Sequence, residues 1–287
     1  MSLKTKLPET EKRSLEQLKE HYQVEKALAS RLRNSTKQER QQAHLYTTLY
    51  DELFRRITHH SHLTREGNSQ TTSLIAQRVN FLSHFFKPGG RFLEVGCGNC
   101  QLSFAISKQV KQVFAVDVSE EITKGLDFPD NVELIISDGC NIPIPENSID
   151  VAYSHQLMEH LHPDDAIEQL QNIYNVLQQG GAYICVTPNR LCGPHDISKY
   201  FDEVATGFHI KEYSVTELYT LFRQAKFSRI SLYKSQNDTL IKIPLSPAIV
   251  FIFRICEGLT NVLPFSLRRK VANTPILFRS ITIVGIK

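Results

Sequence analysis

The sequence predicts an α/β fold, in which a parallel β-sheet carries helices on both faces. Short apolar runs with many β-branched residues alternate with polar segments of helical length across residues 75–241, as they do in βαβ units. A Gly-x-Gly loop follows the first of these runs, and an aspartate ends the second. Ligands of such sheets bind at the carboxyl ends of the strands, so we expect the functional residues there.

The strands and helices of the predicted sheet follow from these runs. Five segments are predicted as parallel strands: residues 91–95, 113–116, 132–136, 149–153 and 182–186. A polar segment at residues 163–179 is long enough for a helix between the fourth strand and the fifth. The chain is therefore expected to wind between sheet and helices in the doubly wound manner.

Residues 1–70 are predicted to form a helical extension ahead of the sheet domain, which spans residues 71–287. An apolar stripe at i, i+4 spacing predicts a helix with one buried face. The stripe comprises Leu45, Leu49, Leu53 and Ile57. Residues 35–39 offer two overlapping capping boxes and are predicted to mark the start of this helix. We expect the helix to pack against the sheet domain.

Composition excludes several classes of protein. The chain has 287 residues, of which 41% are hydrophobic and 22% charged, values far from those of disordered chains. Lys and Arg number 33 and Asp and Glu 30, a net charge of +3, which does not indicate a dedicated nucleic-acid binder. The six cysteines are too dispersed for the disulfide framework of a small secreted domain.

The sequence predicts a cytoplasmic protein without a transmembrane segment. The amino terminus is polar and has no apolar core of the kind found in signal peptides. The longest uncharged apolar stretch, residues 243–253, contains two prolines and is well short of the roughly 18 residues that a spanning helix needs.

The loop after the first strand is typical of nucleotide binding. Gly96 and Gly98, one residue apart, allow a sharp turn and a close approach of a ligand to the backbone. Asp117 lies 21 residues beyond Gly96, where a carboxylate can accept both hydroxyls of a ribose. Dinucleotide enzymes share this pattern, but Gln101 stands where their third glycine would be. Glu94, beside the loop, suits a cationic sulfonium instead.

Six motifs, taken together, identify a family resemblance. They are Glu94-Val-Gly-Cys-Gly98, Val116-Asp117-Val118, Ser137-Asp138-Gly139, Asp150-Val-Ala-Tyr-Ser154, Glu159-His160-Leu161 and Leu177-Gln-Gln-Gly180-Gly181. In order and spacing they resemble the class I S-adenosylmethionine-dependent methyltransferases over residues 82–230. The resemblance implies a Rossmann-like seven-stranded sheet, whose last strand at residues 280–286 is antiparallel and pairs with residues 228–233. Residues 235–277 would form a lid-like insertion before that strand.

The resemblance implies S-adenosylmethionine as cofactor and assigns its contacts. The implied cofactor-binding residues are Glu94, Gly96, Gly98, Asp117, Val118, Asp138, Gly139 and Ser154. Glu94 and the two glycines would line the methionine end, and Asp117 would hold the ribose. Val118 would pack on the adenine, and Asp138 would bind its amino group. Two of the acids also have a structural interpretation, in which Asp138 caps the next turn and Glu94 is a satisfied polar residue at a strand end.

Glu159, His160 and His209 are predicted as catalytic residues, because they follow the fourth and fifth strands, whose loops border one mouth. A histidine there can act as base for a hydroxyl acceptor. Three segments together resemble metal-dependent small-RNA 2′-O-methyltransferases: Gln156-x-x-Glu159-His160, Thr187-Pro-Asn189 and Phe208-His209-Ile-Lys-Glu-Tyr213. The Glu-His pair also resembles the Glu-x-x-Glu-His pattern of ubiquinone-pathway O-methyltransferases. Gln156 replaces the first carboxylate and leaves the ligand set incomplete, so no metal is predicted.

The sequence thus predicts a methyltransferase that acts on a small molecule at oxygen. The apolar and basic insertion at residues 235–277 is interpreted as a lid over an amphipathic acceptor or as a contact with a membrane surface. One alternative is an RNA methyltransferase, which a basic track across the mouth would indicate. The other is a catalytically silent cofactor-binding protein, which would have a pocket closed to any acceptor. The acceptor and the oligomeric state stay open.

Overall fold

An eight-stranded sheet forms the centre of the chain. A computed structural model describes residues 3–4, 7–9, 11–59, 69–119, 122–236, 239–273 and 279–287. The strands are β1 (Arg91–Val95), β2 (Gln112–Asp117), β3 (Val132–Ile136), β4 (Ile149–His155), β5 (Leu177–Pro188), β6 (Arg229–Gln236), β7 (Thr239–Pro244) and β8 (Ser280–Ile286). Their order across the sheet is β3-β2-β1-β4-β5-β8-β6-β7.

The five predicted parallel strands are confirmed. β1 pairs in parallel with β2 and β4, β2 with β3, and β4 with β5. The predicted antiparallel last strand is confirmed as β8, which lies between β5 and β6. The carboxyl ends of β1, β2 and β4 therefore meet at one edge of the sheet, where the predicted cofactor residues lie.

The sheet has one strand more than the seven predicted. β7 comes from the predicted insertion at residues 235–277 and pairs antiparallel with β6 from Ser231↔Pro244 to Gln236↔Thr239. Pro244 ends this strand at the edge of the sheet, a place that tolerates proline because the missing N–H is not needed there. Residues 237, 238 and 274–277 of the insertion lie outside the described residues.

Nine helices of the described ranges surround the sheet. They are α1 (Leu15–Arg33), α2 (Lys37–Gln41), α3 (Leu45–Arg56), α4 (Ser69–Ser83), α5 (Gln101–Ser107), α6 (Pro163–Val176), α7 (Val215–Gln224), α8 (Pro247–Asn261) and α9 (Phe265–Ala272). The predicted helix at residues 163–179 is α6, which ends three residues earlier because Leu177 begins β5. The predicted domain boundary at residues 70 and 71 falls in the first turn of α4; the division into two domains stays a prediction.

The amino-terminal helices depart from prediction at one point. The Thr36–Glu39 capping box is present, but it begins the short helix α2. The striped helix α3 begins separately at Leu45, so the prediction that residues 35–39 start it is wrong. His44 precedes α3 in a left-handed conformation, with φ of 50°. This conformation breaks the helical path between α2 and α3.

The apolar stripe of α3 is buried as predicted. Leu49, Leu53 and Ile57 are at most 2% exposed and belong to the same core cluster as Leu93 and Val116 of the sheet. α3 therefore packs directly on the sheet domain, near the ends of β1 and β2.

A buried ion pair fixes the amino-terminal helices to α6. Arg40, 1% exposed, donates from Nε to Oδ2 of Asp165 at 2.5 Å and from Nη2 to Oδ1 at 3.1 Å. Tyr46 of α3 donates to the same carboxylate at 2.7 Å, and its oxygen accepts from the backbone N–H of His162 at 2.9 Å. The bidentate guanidinium and the tyrosine hydroxyl thus supply hydrogen bonds to a carboxylate that has no access to solvent.

The insertion also forms α8 and α9. Ser246 caps α8, and Pro247 occupies its first turn. The buried side of α8 is fixed to α7 by Glu257, which accepts from Ser214 Oγ at 2.9 Å and from the Thr216 N–H at 3.2 Å. Among the described residues, the structure has no helix that is both long and apolar enough to span a membrane.

Candidate active site

The glycine loop lies between β1 and α5 and has the backbone that its residues predict. Gly96 and Gly98 have φ of 75° and 52°, values that L side chains rarely adopt. A Cβ at Gly96 would lie 3.1 Å from the side chain of Leu157. The loop is thus held close to the segment after β4, which carries the predicted catalytic residues Glu159 and His160.

Asp117, at the end of β2, organises this loop. Its Oδ2 accepts from the Gly98 N–H at 2.8 Å, and its Oδ1 accepts from the N–H groups of Val118 and Ser119 at 2.8 and 3.2 Å. Burial raises the pKa of Asp117 above its usual range, although these three backbone hydrogen bonds oppose the shift. The carboxylate therefore joins the two strand ends at which a ribose would bind.

The adenine side of the predicted site lies under α3. Gly139 has φ of 93°, and a Cβ there would be 3.3 Å from the Tyr46 ring. The carbonyl of Val118 accepts from Thr47 Oγ1 at 2.6 Å. Asp138 accepts from the N–H groups of Cys140 and Asn141 at 2.9 and 2.8 Å, which is the turn-capping role considered for it.

Two predicted cofactor residues hydrogen-bond to side chains of neighbouring elements. Glu94 accepts from Ser103 Oγ at 2.6 Å, and burial raises the pKa of its carboxyl to about 7. Ser154 is fully buried, with its Oγ 2.7 Å from the hydroxyl of Tyr183. The predicted contacts of these residues with the cofactor stay predictions.

The three predicted catalytic residues come together. The ligand atoms of Glu159, His160 and His209 all lie within 4.8 Å of one another. Glu159 is fully buried in the short 3₁₀ helix Met158–His160. Its Oε2 accepts from Thr187 Oγ1 at 2.9 Å, whereas its Oε1 has no hydrogen-bond partner among the described residues. A buried oxygen of this kind is costly unless a ligand or a proton meets it.

Neighbouring charges set the protonation of this cluster. Burial raises the pKa of Glu159 to about 7, although the nearby charge of His209 opposes the shift. Burial disfavours a charged His209, but the hydrogen bond from its Nδ1 to Glu212 at 2.7 Å and the charge of Glu159 raise its pKa to about 9. Burial works against ionisation of Glu212 as well, yet hydrogen bonds from His195 and His209 lower its pKa to about 2. His209 is therefore an imidazolium at neutral pH.

His160 has a different environment. Its Nδ1 lies 3.1 Å from the carbonyl of Phe208 and 2.9 Å from the hydroxyl of Tyr50. A carbonyl only accepts, so this geometry assigns the hydrogen to Nδ1 and makes Nε2 the basic nitrogen of the neutral ring. The Tyr50 ring stacks on Phe208 with centroids 4.7 Å apart.

Tyr50, Thr187 and Glu212 were not among the predicted site residues. Tyr50 lies beside the apolar stripe of α3, and this position was the available sign that its side chain faces the sheet domain. Glu212 follows His209 by three residues, close enough to suggest a partner for the histidine. His162, by contrast, caps α6 through its side chain, as its position before Pro163 predicts.

The two loop cysteines are free and buried. The sulfur atoms of Cys97 and Cys100 are 3.5 Å apart, and all six cysteines of the chain are free. The hydrogen bond from Cys100 and burial both raise the pKa of the Cys97 thiol well above its usual range. Reactive cysteines need the opposite shift.

A cavity of about 200 Å³ opens beside His209. Its walls include Ile210 and Lys211 from the segment after β5 and Arg268 from α9. Arg268 belongs to the predicted insertion, which therefore contributes to the wall of this cavity.

Comparison with known proteins identifies a methyltransferase domain in this chain. A family model described as "Methyltransferase domain" matches residues 93–185, which run from β1 through most of β5. These residues thus form a domain of the class I S-adenosylmethionine-dependent methyltransferase kind, whose cofactor is S-adenosylmethionine.

Curated relatives of this chain are named as methyltransferases, and a solved methyltransferase structure shares its fold. A "Probable S-adenosylmethionine-dependent methyltransferase" of Mycolicibacterium smegmatis is 28% identical over 48% of this chain and 52% of its own length. A demethylmenaquinone methyltransferase of Symbiobacterium thermophilum is 27% identical over 37% of this chain and 45% of its own length. The chain thus spans about half the length of these curated relatives. The crystal structure of a SAM-dependent methyltransferase from Archaeoglobus fulgidus matches in fold, with a TM-score of 0.50 and 20% identity over 84% of this chain and 100% of that one.

Asp117→Ala is expected to weaken S-adenosylmethionine binding by ~1.5–3 kcal/mol, because a charged acceptor of two ribose hydroxyls is lost. Titration calorimetry measures the effect, and circular dichroism verifies that the fold survives. Asp130→Ala, at an exposed aspartate before β3, is the matched control and should bind normally. Unchanged affinity in Asp117→Ala would contradict the ribose assignment.

Proposed function

We propose that the chain transfers a methyl group from S-adenosylmethionine to an oxygen atom of a small amphipathic molecule. The observation that carries this proposal is the cluster of the buried Glu159 with the half-buried His160 and with His209, whose ligand atoms lie within 4.8 Å of one another. Glu159 and His160 closely follow Leu157, whose side chain is 3.1 Å from the place that a Cβ at Gly96 would occupy, so their segment runs past the glycine loop. A proton acceptor is thus available at the edge where the sheet would hold the methyl donor.

S-adenosylmethionine, when bound, supplies an electrophilic methyl group. The residues of this chain align and activate the acceptor. His160 Nε2 would take the proton of the acceptor hydroxyl, which leaves the oxygen free to accept the methyl group that the bound cofactor would supply. Glu159 stabilises the imidazolium that forms on His160, and His209 stabilises the carboxylate of Glu159. Tyr50 and Phe208 hold the His160 ring through Nδ1, so that most of the rate comes from positioning.

The walls of the cavity favour an amphipathic acceptor. Val204, Ala205 and Ile210 are apolar, whereas Lys211 and Arg268 can meet a polar head group. Glu203 and Glu212 share the same wall, so the charges do not form the basic track that an RNA substrate requires. Demethylmenaquinone, the acceptor named for one relative, supports an acceptor that is not a nucleic acid.

Two measurements test this function. Titration calorimetry with S-adenosylmethionine, S-adenosylhomocysteine and NAD should detect the first two ligands and not the third. The protein is then incubated with methyl-labelled S-adenosylmethionine and separate aqueous and lipid metabolite extracts, and mass spectrometry locates the methyl group in the product. We expect label on oxygen in a small molecule. NAD binding would contradict the cofactor, and a methyl group on nitrogen or carbon would contradict the chemistry.

The reaction is expected to proceed without a divalent metal. Three side chains of the cluster have metal-ligating atoms, but the imidazolium of His209 already balances the charge of Glu159, and Gln156 supplies no carboxylate. Turnover should therefore be unchanged after exhaustive dialysis against EDTA. Loss of activity that Mg²⁺, Mn²⁺ or Zn²⁺ restores would show instead that the cluster binds a metal.

A further inference from the structure

Helix α8 has a second apolar face that points to solvent. Its inner face, which includes Val250 and Glu257, is buried against the domain. The outer residues are between 48% and 80% exposed: Phe251, Ile252, Ile255, Leu259 and Val262. At the angular spacing of a helix these five side chains fall within an arc of about 100°. We call this stripe the α8 face.

Exposed cations accompany the α8 face. Arg254 lies on α8 itself, Lys270 on the following helix α9 and Lys242 on the preceding strand β7, and all three are exposed. Glu257 is the only acid in residues 239–273. It is 7% exposed and bonded to Ser214 and Thr216 of the α7 region, so it does not offset the outer cations. The outer surface of α8 and α9 is therefore apolar and basic.

This combination identifies the chemistry of the partner. Scattered exposed apolar residues are ordinary, but a continuous stripe of them marks an interaction surface. A second copy of this chain would bring the same cations to the contact and no acid from residues 239–273 to meet them. Anionic lipids offer both an apolar layer and the opposite charge. We propose that the α8 face docks on the surface of an anionic lipid bilayer, with α8 lying in the plane of the interface.

Docking would place the acceptor cavity near the bilayer. α9 follows α8 directly, and its Arg268 lines the cavity beside His209. Asn261, at the end of α8, accepts a hydrogen bond at 3.4 Å from Arg190, which also lines that cavity. An acceptor with an apolar tail would then reach the cavity from the lipid phase. Docking itself does not depend on methyl transfer; only this consequence rests on the proposed function.

Vesicle co-sedimentation of the purified full chain tests the proposal. One set of vesicles is phosphatidylcholine alone, and the other mixes phosphatidylcholine with phosphatidylglycerol. We expect binding to the mixed vesicles that weakens as salt is raised. The double variant Ile255→Glu and Leu259→Glu should lower that binding at least ~10-fold. Replacing Arg254 and Lys270 by glutamine should make vesicle binding less dependent on salt concentration.

The controls separate docking from folding and from methyl transfer. Leu15→Glu, at an exposed leucine of α1, should sediment like the parent. All variants should keep the parent's circular dichroism and S-adenosylmethionine affinity, because the substituted side chains are exposed. Equal binding to both vesicle types would overturn the proposal, as would equal losses in Leu15→Glu and the double variant. A dimer in light scattering that the double variant dissociates, without vesicle binding, would assign the α8 face to a second copy.

Discussion

Replacing His160 by alanine is expected to lower turnover by ~10²–10⁴-fold, the range for loss of a general base. Affinity for S-adenosylhomocysteine should change far less than turnover, because the hydrogen bonds described for His160 go to Tyr50 and Phe208. The rate is measured with the acceptor identified in the labelling screen. His84→Ala is the control, since His84 is exposed and bonds only within the carboxyl-terminal turn of α4.

A pH profile adds a readout that a purely structural role would not move. Glu159 must be ionised to stabilise the imidazolium that forms on His160. We therefore expect kcat/KM to rise with pH through the pKa of about 7 at Glu159. It should fall again as the His209 imidazolium, with its pKa of about 9, is lost. Unchanged turnover in both His160→Ala and His209→Ala would contradict the general-base hypothesis. Positioning of the reactants alone would then account for the rate.

Replacing Arg40 by alanine is expected to reduce the free energy of unfolding by ~3–5 kcal/mol, because Asp165 would remain buried without its cation. Asp165 has no exposed surface and receives both prongs of the Arg40 guanidinium. Urea denaturation followed by circular dichroism measures the loss.

The matched control is Arg31→Ala. Arg31 pairs with Glu52 at 2.8 Å, but its side chain is 52% exposed, and pairs of this kind contribute ~0–1 kcal/mol. Equal losses in the two variants would show that the Arg40 pair does not clamp the amino-terminal helices to α6. A large loss confined to Arg40→Ala would also predict that a chain that begins near residue 70 is less stable than the full chain.

Local patterns predicted the parts of the fold that depend on local chemistry. β1, β3 and β8 have the predicted bounds, since each is a short run of apolar and β-branched residues between turns. β7 was missed because six residues at a sheet edge resemble any apolar stretch of an insertion. The break before α3 was not predicted because the left-handed residue is His44 and not a glycine, the residue type that usually indicates this conformation.

The site was predictable only in part for a related reason. Glu159, His160 and His209 have residue types and strand-end positions that indicate chemistry. Tyr50 is 110 residues from His160 in the chain, and no local periodicity signals such a contact. The bond appears only once α3 has packed across the strand ends.

α3 also connects the two halves of the site mechanically. Thr47 bonds the carbonyl of Val118, a predicted adenine contact, and Tyr50, three residues later, bonds His160, a predicted catalytic residue. Both side chains belong to one rigid helix, so a shift of the helix at either end moves the other end as well. Occupation of the nucleoside half would therefore preorganise the imidazole before the acceptor arrives, which favours a compulsory order of binding with the methyl donor first.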